Sequence, residues 1–265
     1  MTVKLIATDM DGTFLDDQKQ YDHDYFDRLY TEMLRQHIQF VVASGNQYEQ
    51  LASFFGDYPD IIYVAENGAY LRTTQQVFNY SSFTPSRVKA ILAILTRISE
   101  IDLLVAGKKS AYVLKSATPS FIDISQLYYH QLTVIDQYDE INDDVFKFGI
   151  SCPLDRTEEF VQRFHDALGS LGTPTSSGHG DIDIIQPGIH KANGLKHVGE
   201  LLTLDLSEMV AFGDGGNDLE MLQEVGLGVA MANAPLNIQK AANDLTGTNN
   251  EQGVLTYIDR LLHAN

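Results

Sequence analysis

The chain has 265 residues, with 36 Asp or Glu against 18 Lys or Arg and a formal charge of −18, a field that repels nucleic acid and anionic membranes. Its single cysteine, Cys152, excludes an internal disulfide and any multi-cysteine zinc site, and a buried inert thiol is the expected state. The length allows one large hydrophobic core or two smaller ones, and nothing in the composition calls for an obligatory protein partner.

Val3, Leu5, Ile6 and Ala7 form an apolar run that ends at Asp9-Met10-Asp11-Gly12-Thr13. The run starts almost at once, with no basic and apolar leader before it. The apolar stretches at 61–65 and 90–95 fall far short of the roughly 18 residues of a membrane span, so a cytoplasmic location is expected. Carboxylates spaced i, i+2 on an extended segment project to the same side, so Asp9 and Asp11 face one ligand together. Like charges that close need a cation between them, or one of them keeps its proton. A calcium-binding EF-hand loop starting at Asp9 would need Gly at its sixth position and Glu at its twelfth, where Phe14 and Gln20 stand.

Phe26, Leu29, Tyr30, Met33 and Leu34 recur at helical spacing and predict an amphipathic helix. A buried strand over 38–43 follows and ends at Ser44-Gly45-Asn46. Leu51, Phe54 and Phe55 then mark a helix face, and a third strand over 61–65 closes at Glu66-Asn67-Gly68. A serine and open amides just before a helix favour a phosphate, although a serine there is commonly only a cap.

Between residues 82 and 187 the texture changes, with Thr84-Pro85, Thr118-Pro119, Cys152-Pro153 and Gln186-Pro187 punctuating a separate set of elements. Helices are expected over 87–98, 120–129 and 158–168, and strands over 112–114, 145–151 and 182–185. This segment reads as a second domain inserted into a first made of 1–81 and 188–265.

The first rhythm then resumes, with a helix over 191–202, a strand over 209–213, a helix over 218–225, a strand over 228–231 and a last helix over 253–262. Lys191 opens its helix at the end where the dipole disfavours a cation, which suggests that it holds an anion; by itself it reads as an exposed lysine. Gly213-Asp214-Gly215-Gly216-Asn217-Asp218 follows a strand and opens a helix. Its glycines admit a close ligand, Asn217 suits the cap, and its acids can share a metal with the first loop. A dinucleotide fingerprint is excluded because Asp218 stands where its last glycine belongs. The alternation as a whole predicts an α/β chain with a Rossmann-like doubly wound parallel sheet and an inserted α+β domain.

Taken together, Asp9-Met10-Asp11-Gly12-Thr13, Ser44, Lys191 and Gly213 to Asp218 resemble the four ordered motifs of the haloacid dehalogenase superfamily, in its branch of Cof-type sugar phosphatases. Ala65-Glu66-Asn67-Gly68-Ala69 also looks like that branch, and no catalytic position departs from it. The resemblance covers nearly the whole chain and implies that 82–187 is a C2-type cap. It implies a Mg²⁺-dependent phosphatase of small phosphorylated metabolites, sugar phosphates in the first place. Asp9 is then the nucleophile that forms an aspartyl-phosphate, and Asp11 moves the proton. Asp9, the Asp11 carbonyl and Asp214 are the implied metal ligands, with Asp218 binding through water or orienting Lys191. The Met10 and Gly45 amides, Ser44, Lys191 and Asn217 are the implied phosphoryl contacts.

In the cap, His179, Asp181 and Asp183 are candidates for substrate hydroxyls, with Asn46 and Glu66 behind them. Tyr128-Tyr129-His130 reads instead as a helix face. A sugar phosphotransferase or mutase would share the aspartyl-phosphate, and a non-catalytic phosphometabolite sensor would share the pocket.

Overall fold

The computed structural model describes residues 2–56, 58–178 and 180–263. In chain order it runs β1 (Leu5–Thr8), α1 (His23–Arg35), β2 (Gln39–Ala43), α2 (Tyr48–Phe54), β3 (Ile62–Ala65), β4 (Tyr70–Arg72) and β5 (Val77–Tyr80). There follow α3 (Pro85–Leu95), β6 (Asp102–Gly107), β7 (Ala111–Leu114), α4 (Pro119–Tyr128), β8 (Leu132–Ile135), β9 (Val145–Ser151), α5 (Thr157–Leu168), β10 (Thr173–Gly178) and β11 (Asp181–Ile185). The chain closes with α6 (Lys191–Leu202), β12 (Met209–Gly213), α7 (Leu219–Glu224), β13 (Leu227–Ala230), α8 (Leu236–Ala241), β14 (Asp244–Leu245) and α9 (Gly253–His263).

Two sheets result. The first has eight strands in the order β14-β13-β12-β1-β2-β3-β4-β5. It is parallel from β14 through β3, and β4 and β5 are added antiparallel. The central parallel strands β12, β1, β2 and β3 are apolar on both faces, as helices packed on either side require. Ile6, Phe40 and Val42 meet α1 and α9 on one side, and Leu5, Val41 and Val64 meet α6 on the other.

α1 begins where Asp22 accepts a hydrogen bond from the Tyr25 amide, an N-cap. It buries Phe26, Leu29, Tyr30 and Met33. Leu34, expected on that face, is 46% exposed, because it falls at the margin of the apolar stripe. α6 lies so close to β3 that a Cβ at Gly194 would overlap the Val64 side chain. That approach seats the start of α6, and with it Lys191, against the sheet.

The second sheet, β10-β11-β9-β6-β7-β8, is inserted between β5 and α6 and has its own core around Ile91, Phe148, Phe160 and Phe164. It touches the first sheet through particular contacts. Phe146 packs on Tyr70 at 5.2 Å between ring centroids, Gln47 and Gln131 exchange hydrogen bonds of 3.0 and 2.8 Å, and Gln186 donates to the Ser81 carbonyl at 2.8 Å. Cys152 is half-buried rather than buried, its Sγ 3.2 Å from the Gly180 carbonyl. Among the described residues no helix is long and apolar enough to cross a membrane.

Candidate active site

β1 lies between β2 and β12, all parallel, and the strand order departs from β1 in both directions, which opens a crevice at the carboxyl ends of these strands. The Asp9 amide donates to the Phe212 carbonyl at 3.0 Å, so β1 holds its register to its last residue before the chain turns. Met10 points into the core with 0% exposure. Asp9 and Asp11 point the other way, into one cavity of about 520 Å³ that Ser44, Gly45, Asp214 and Asn217 also line. Gly12 turns the chain with φ +74°, and a Cβ there would collide with the Asp214 carboxylate. This contact requires glycine, and it brings Thr13 Oγ1 within 2.6 Å of Asp214 Oδ1, to which it donates.

Lys191 is completely buried, not exposed, and its Nζ donates to Asp9 Oδ1 at 2.6 Å and Asp218 Oδ1 at 2.7 Å. Burial alone would release the proton from this lysine, but the two carboxylates outweigh it and raise its pKa. The same electrostatics explain a cation at the start of a helix: the charge is bound by side chains, not by the dipole. Asp218 Oδ2 accepts from the Asp214 and Gly215 amides at 3.0 and 2.9 Å. The turn is therefore tied by Asp218, whereas Asn217, expected as the cap, donates instead to Asn67 Oδ1 at 3.2 Å.

Burial pushes the Asp9 carboxyl well above the usual carboxylate range, with the charges of Asp218 and Asp214 adding to the effect and Lys191 opposing it. Asp214 is pushed up to about 6, again by burial first and Asp218 second. Asp9, Asp214 and Asp218 each offer a ligand atom within 4.8 Å of the others. Buried oxygen donors that suppress one another's ionisation suit a hard divalent cation, which relieves the repulsion. Because both Asp218 oxygens are engaged, Asp9 and Asp214 are the carboxylates with the freer oxygens.

Lys19 and Lys147 carry no sequence pattern that singles them out, and Asn46, a candidate for substrate hydroxyls, is bound to Asp11 instead. Lys19 Nζ stands 2.5 Å from Asp11 Oδ1, and Asn46 donates to Asp11 Oδ2 at 2.6 Å. Lys147, from the inserted sheet, is buried and donates to the Gly45 carbonyl at 2.7 Å and to Asp183 Oδ2 at 2.8 Å. Asn67 holds the same Asp183 oxygen at 2.6 Å. The nearest available signal for Lys147 is a charge inside an otherwise apolar strand, Val145 to Ile150, which costs free energy unless it is paired.

Asp183 and the more exposed Asp181 both line the cavity, and His179 lies outside the described residues. Tyr128 and Tyr129, read from sequence as a helix face, form part of the cavity wall. Residues 82–187 thus supply Lys147, Asp183 and the two tyrosines to a cavity whose floor comes from the first sheet.

Glu66 is buried, and its Oε2 lies 3.7 Å from Lys147 Nζ, outside hydrogen-bond distance, that oxygen having no hydrogen-bond partner among the described residues. Burial pushes its pKa up from 4.5 to about 7, with Lys147 opposing. A carboxyl raised on folding stabilises fully below its unfolded pKa, and that contribution is lost as pH rises through the folded value. Between pH 5 and pH 8 the protein is therefore expected to lose up to about 3 kcal/mol from this group. Glu66→Gln should flatten that loss. Denaturant unfolding of both proteins at the two pH values measures it, and equal losses would remove Glu66 as the cause.

The family model for haloacid dehalogenase-like hydrolases matches residues 6–258. The 5-amino-6-(5-phospho-D-ribitylamino)uracil phosphatase YbjI of Escherichia coli (strain K12) is 43% identical over 99% of this chain and 97% of its own. The crystal structure of SMU.1108c from Streptococcus mutans UA159 superposes with a TM-score of 0.94 at 32% identity, covering 98% of this chain and 99% of that one. A HAD subclass IIB sugar phosphatase, BT4131, has the same fold with a TM-score of 0.84 at 20% identity, over 98% and 99% of the two chains.

Proposed function

The chain belongs to the haloacid dehalogenase-like hydrolases, and from that premise we propose that it is a Mg²⁺-dependent phosphatase of small phosphorylated metabolites, sugar or polyol phosphates, acting in the cytoplasm. One observation carries this reading: Asp9, Asp11 and Asp214 line one cavity, and Asp9 and Asp214 belong with the buried Asp218 to a set of carboxylates that could share a cation, so an attacking group and a proton-transfer group face a cation site together.

In this reading Asp9 attacks phosphorus and becomes an aspartyl-phosphate, and the bond to the leaving oxygen breaks. Asp11 gives its proton to that oxygen and later takes one from the hydrolytic water, whose oxygen bonds to phosphorus as the bond to Asp9 breaks, releasing inorganic phosphate and restoring the Asp9 carboxylate. Asp11 reaches this role after exchanging one of its hydrogen bonds, to Lys19 or Asn46, for the substrate. Asp9, Asp214 and the Asp11 carbonyl would hold Mg²⁺, which when bound would supply positive charge against the phosphoryl oxygens. Asp218 orients Lys191. Ser44, the Met10 and Gly45 amides, Lys191 and Asn217 receive the phosphoryl oxygens as charge moves onto them. Placed cations and amides overcome locally the repulsion that a net charge of −18 exerts at long range.

Residues 82–187 act as the cap over a core of 1–81 and 188–265, and Asp181 and Asp183 are its polar contacts to the leaving group. A panel of phosphate monoesters with Mg²⁺ tests the proposal. Phosphate release that EDTA abolishes and Mg²⁺ restores is expected. Transfer of labelled phosphate to an added hexose would make the protein a phosphotransferase, and binding with no hydrolysis of any ester would make it a sensor.

A further inference from the structure

Three successive carbonyls just after β2 are each held by a donor from elsewhere in the chain. The Ser44 carbonyl accepts from the Asn67 amide at 3.0 Å, and the Asn46 carbonyl accepts from the Glu66 amide at 3.2 Å. Both donors lie in the turn that follows β3. The Gly45 carbonyl between them accepts from Lys147 Nζ at 2.7 Å, and Lys147 belongs to β9 of the inserted sheet. The middle peptide of this turn is therefore held from the other sheet.

That peptide carries a second group. A trans peptide is a rigid plane whose C=O and N–H point in opposite directions, so a bond that fixes one fixes the other. The N–H opposite the Gly45 carbonyl is that of Asn46, and it donates to Ser44 Oγ at 3.1 Å. A hydroxyl that accepts on one side keeps its hydrogen to donate on the other. Ser44 is buried and lines the cavity with Asp9, where a phosphoryl group needs such a donor.

Lys147 is itself held in place. It is 3% exposed, and a buried ammonium keeps its charge only beside partners. Asp183 Oδ2 accepts from it at 2.8 Å, and Glu66 Oε2 stands at 3.7 Å. Asn67, whose amide holds the Ser44 carbonyl, donates through its side chain to the same Asp183 oxygen at 2.6 Å. The two carboxylates answer the lysine's charge, and the bond to the Gly45 carbonyl ties that charge to the turn.

We infer that Lys147 is a positioning residue: it fixes the peptide between Gly45 and Asn46 and, through the Asn46 amide, aims the Ser44 hydroxyl at the phosphoryl group. This rests on the phosphatase reading of the same cavity and deepens it. The inserted sheet then helps to set the rate on every ester, whatever its leaving group, whereas a lysine that touched the leaving group would act on some esters only.

The test compares acetyl phosphate, whose leaving group is small, with the fastest sugar phosphate of the monoester panel. With Mg²⁺, Lys147→Met should lower kcat/KM about tenfold on both. In a Ser44→Ala background the same substitution should lower it by less than about twofold, since the hydroxyl that Lys147 aims is gone. No loss, a loss confined to the sugar phosphate, or an equal loss with and without Ser44 overturns the inference. Lys147→Met leaves Asp183 without its cation. Where that variant melts below the assay temperature, the double variant Lys147→Met, Asp183→Asn replaces it on acetyl phosphate, with the same dependence on Ser44 expected and an equal loss in both backgrounds overturning the role.

Calorimetric binding of inorganic phosphate with Mg²⁺ separates this failure from failure of the phosphatase reading. If no ester is hydrolysed, binding that weakens about tenfold with Lys147→Met, but not in the Ser44→Ala background, keeps the positioning role and rejects the phosphatase. Equal weakening in both backgrounds, no weakening, or no binding rejects the role.

Discussion

Asp9→Asn should lower phosphate release by at least roughly four orders of magnitude and leave the fold intact. The amide has the shape of the carboxylate but cannot serve as the nucleophile, so what remains is the slow attack of water in a site that still binds the ester. Stability should hold or rise slightly. Asp9 is buried beside Asp214 and Asp218, and these neighbours together with desolvation already push its carboxyl toward the neutral form. Exchanging it for a neutral isostere removes one source of that crowding, and Lys191 keeps Asp218 at 2.7 Å as a partner. Rates measured by phosphate release and melting temperatures measured side by side decide the matter. Activity within a hundredfold of wild type would remove Asp9 as the nucleophile, and a large fall in melting temperature would make the loss of rate a folding effect.

Lys191→Met should cost both activity and stability. The methionine fills most of the volume but leaves Asp9 and Asp218 buried without their shared cation, at 2.6 and 2.7 Å in the intact protein. Breaking a buried ion pair from one side costs about 3–5 kcal/mol, because the remaining charge has neither solvent nor partner. For a chain of this size that lowers the melting temperature by roughly 10 °C. Mg²⁺ at high concentration should recover part of the loss, since a divalent ion among the same carboxylates replaces the missing charge. A variant that melts with the wild type would show that the lysine's charge is not needed to hold these carboxylates together.

Much of the fold is legible in the sequence where one period dominates. The segments 145–151, 191–202 and 209–213 match β9, α6 and β12 residue for residue, because each is a sustained apolar run or a helical stripe between clear turns. The strands β4, β5, β8, β10 and β14 give no such pattern. β5 exposes most of its residues and β10 carries Thr, Pro, Ser and Gly, so backbone pairing with a neighbour defines them more than burial does. α8 spans six residues, too short for its period to stand out, and β6 is an apolar run that local pattern alone does not assign.

The candidate site divides in the same way. Asp9, Asp11, Ser44, Gly45, Lys191, Asp214, Asn217 and Asp218 can be picked out because each sits at the end of a strand or the start of a helix, where side-chain type and backbone geometry are constrained together. Lys19 and Lys147 meet Asp11, Gly45 and Asp183 across separations of 8 to 102 residues, and no local spacing encodes such meetings; Asn46 could be named as a candidate, but not its bond to Asp11.

The sequence by itself determined the reaction class: paired acids after a strand, a glycine-rich acidic turn after another, and a lysine at a helix start are chemical requirements written into short segments. Tertiary structure alone decided what lines the rest of the cavity. A helix with the period of an ordinary amphipathic element, residues 119–128, turns part of its apolar face to the cavity instead of to its own sheet. Periodicity tells which side of a helix is apolar, and only the packing of two sheets against each other tells what that side meets.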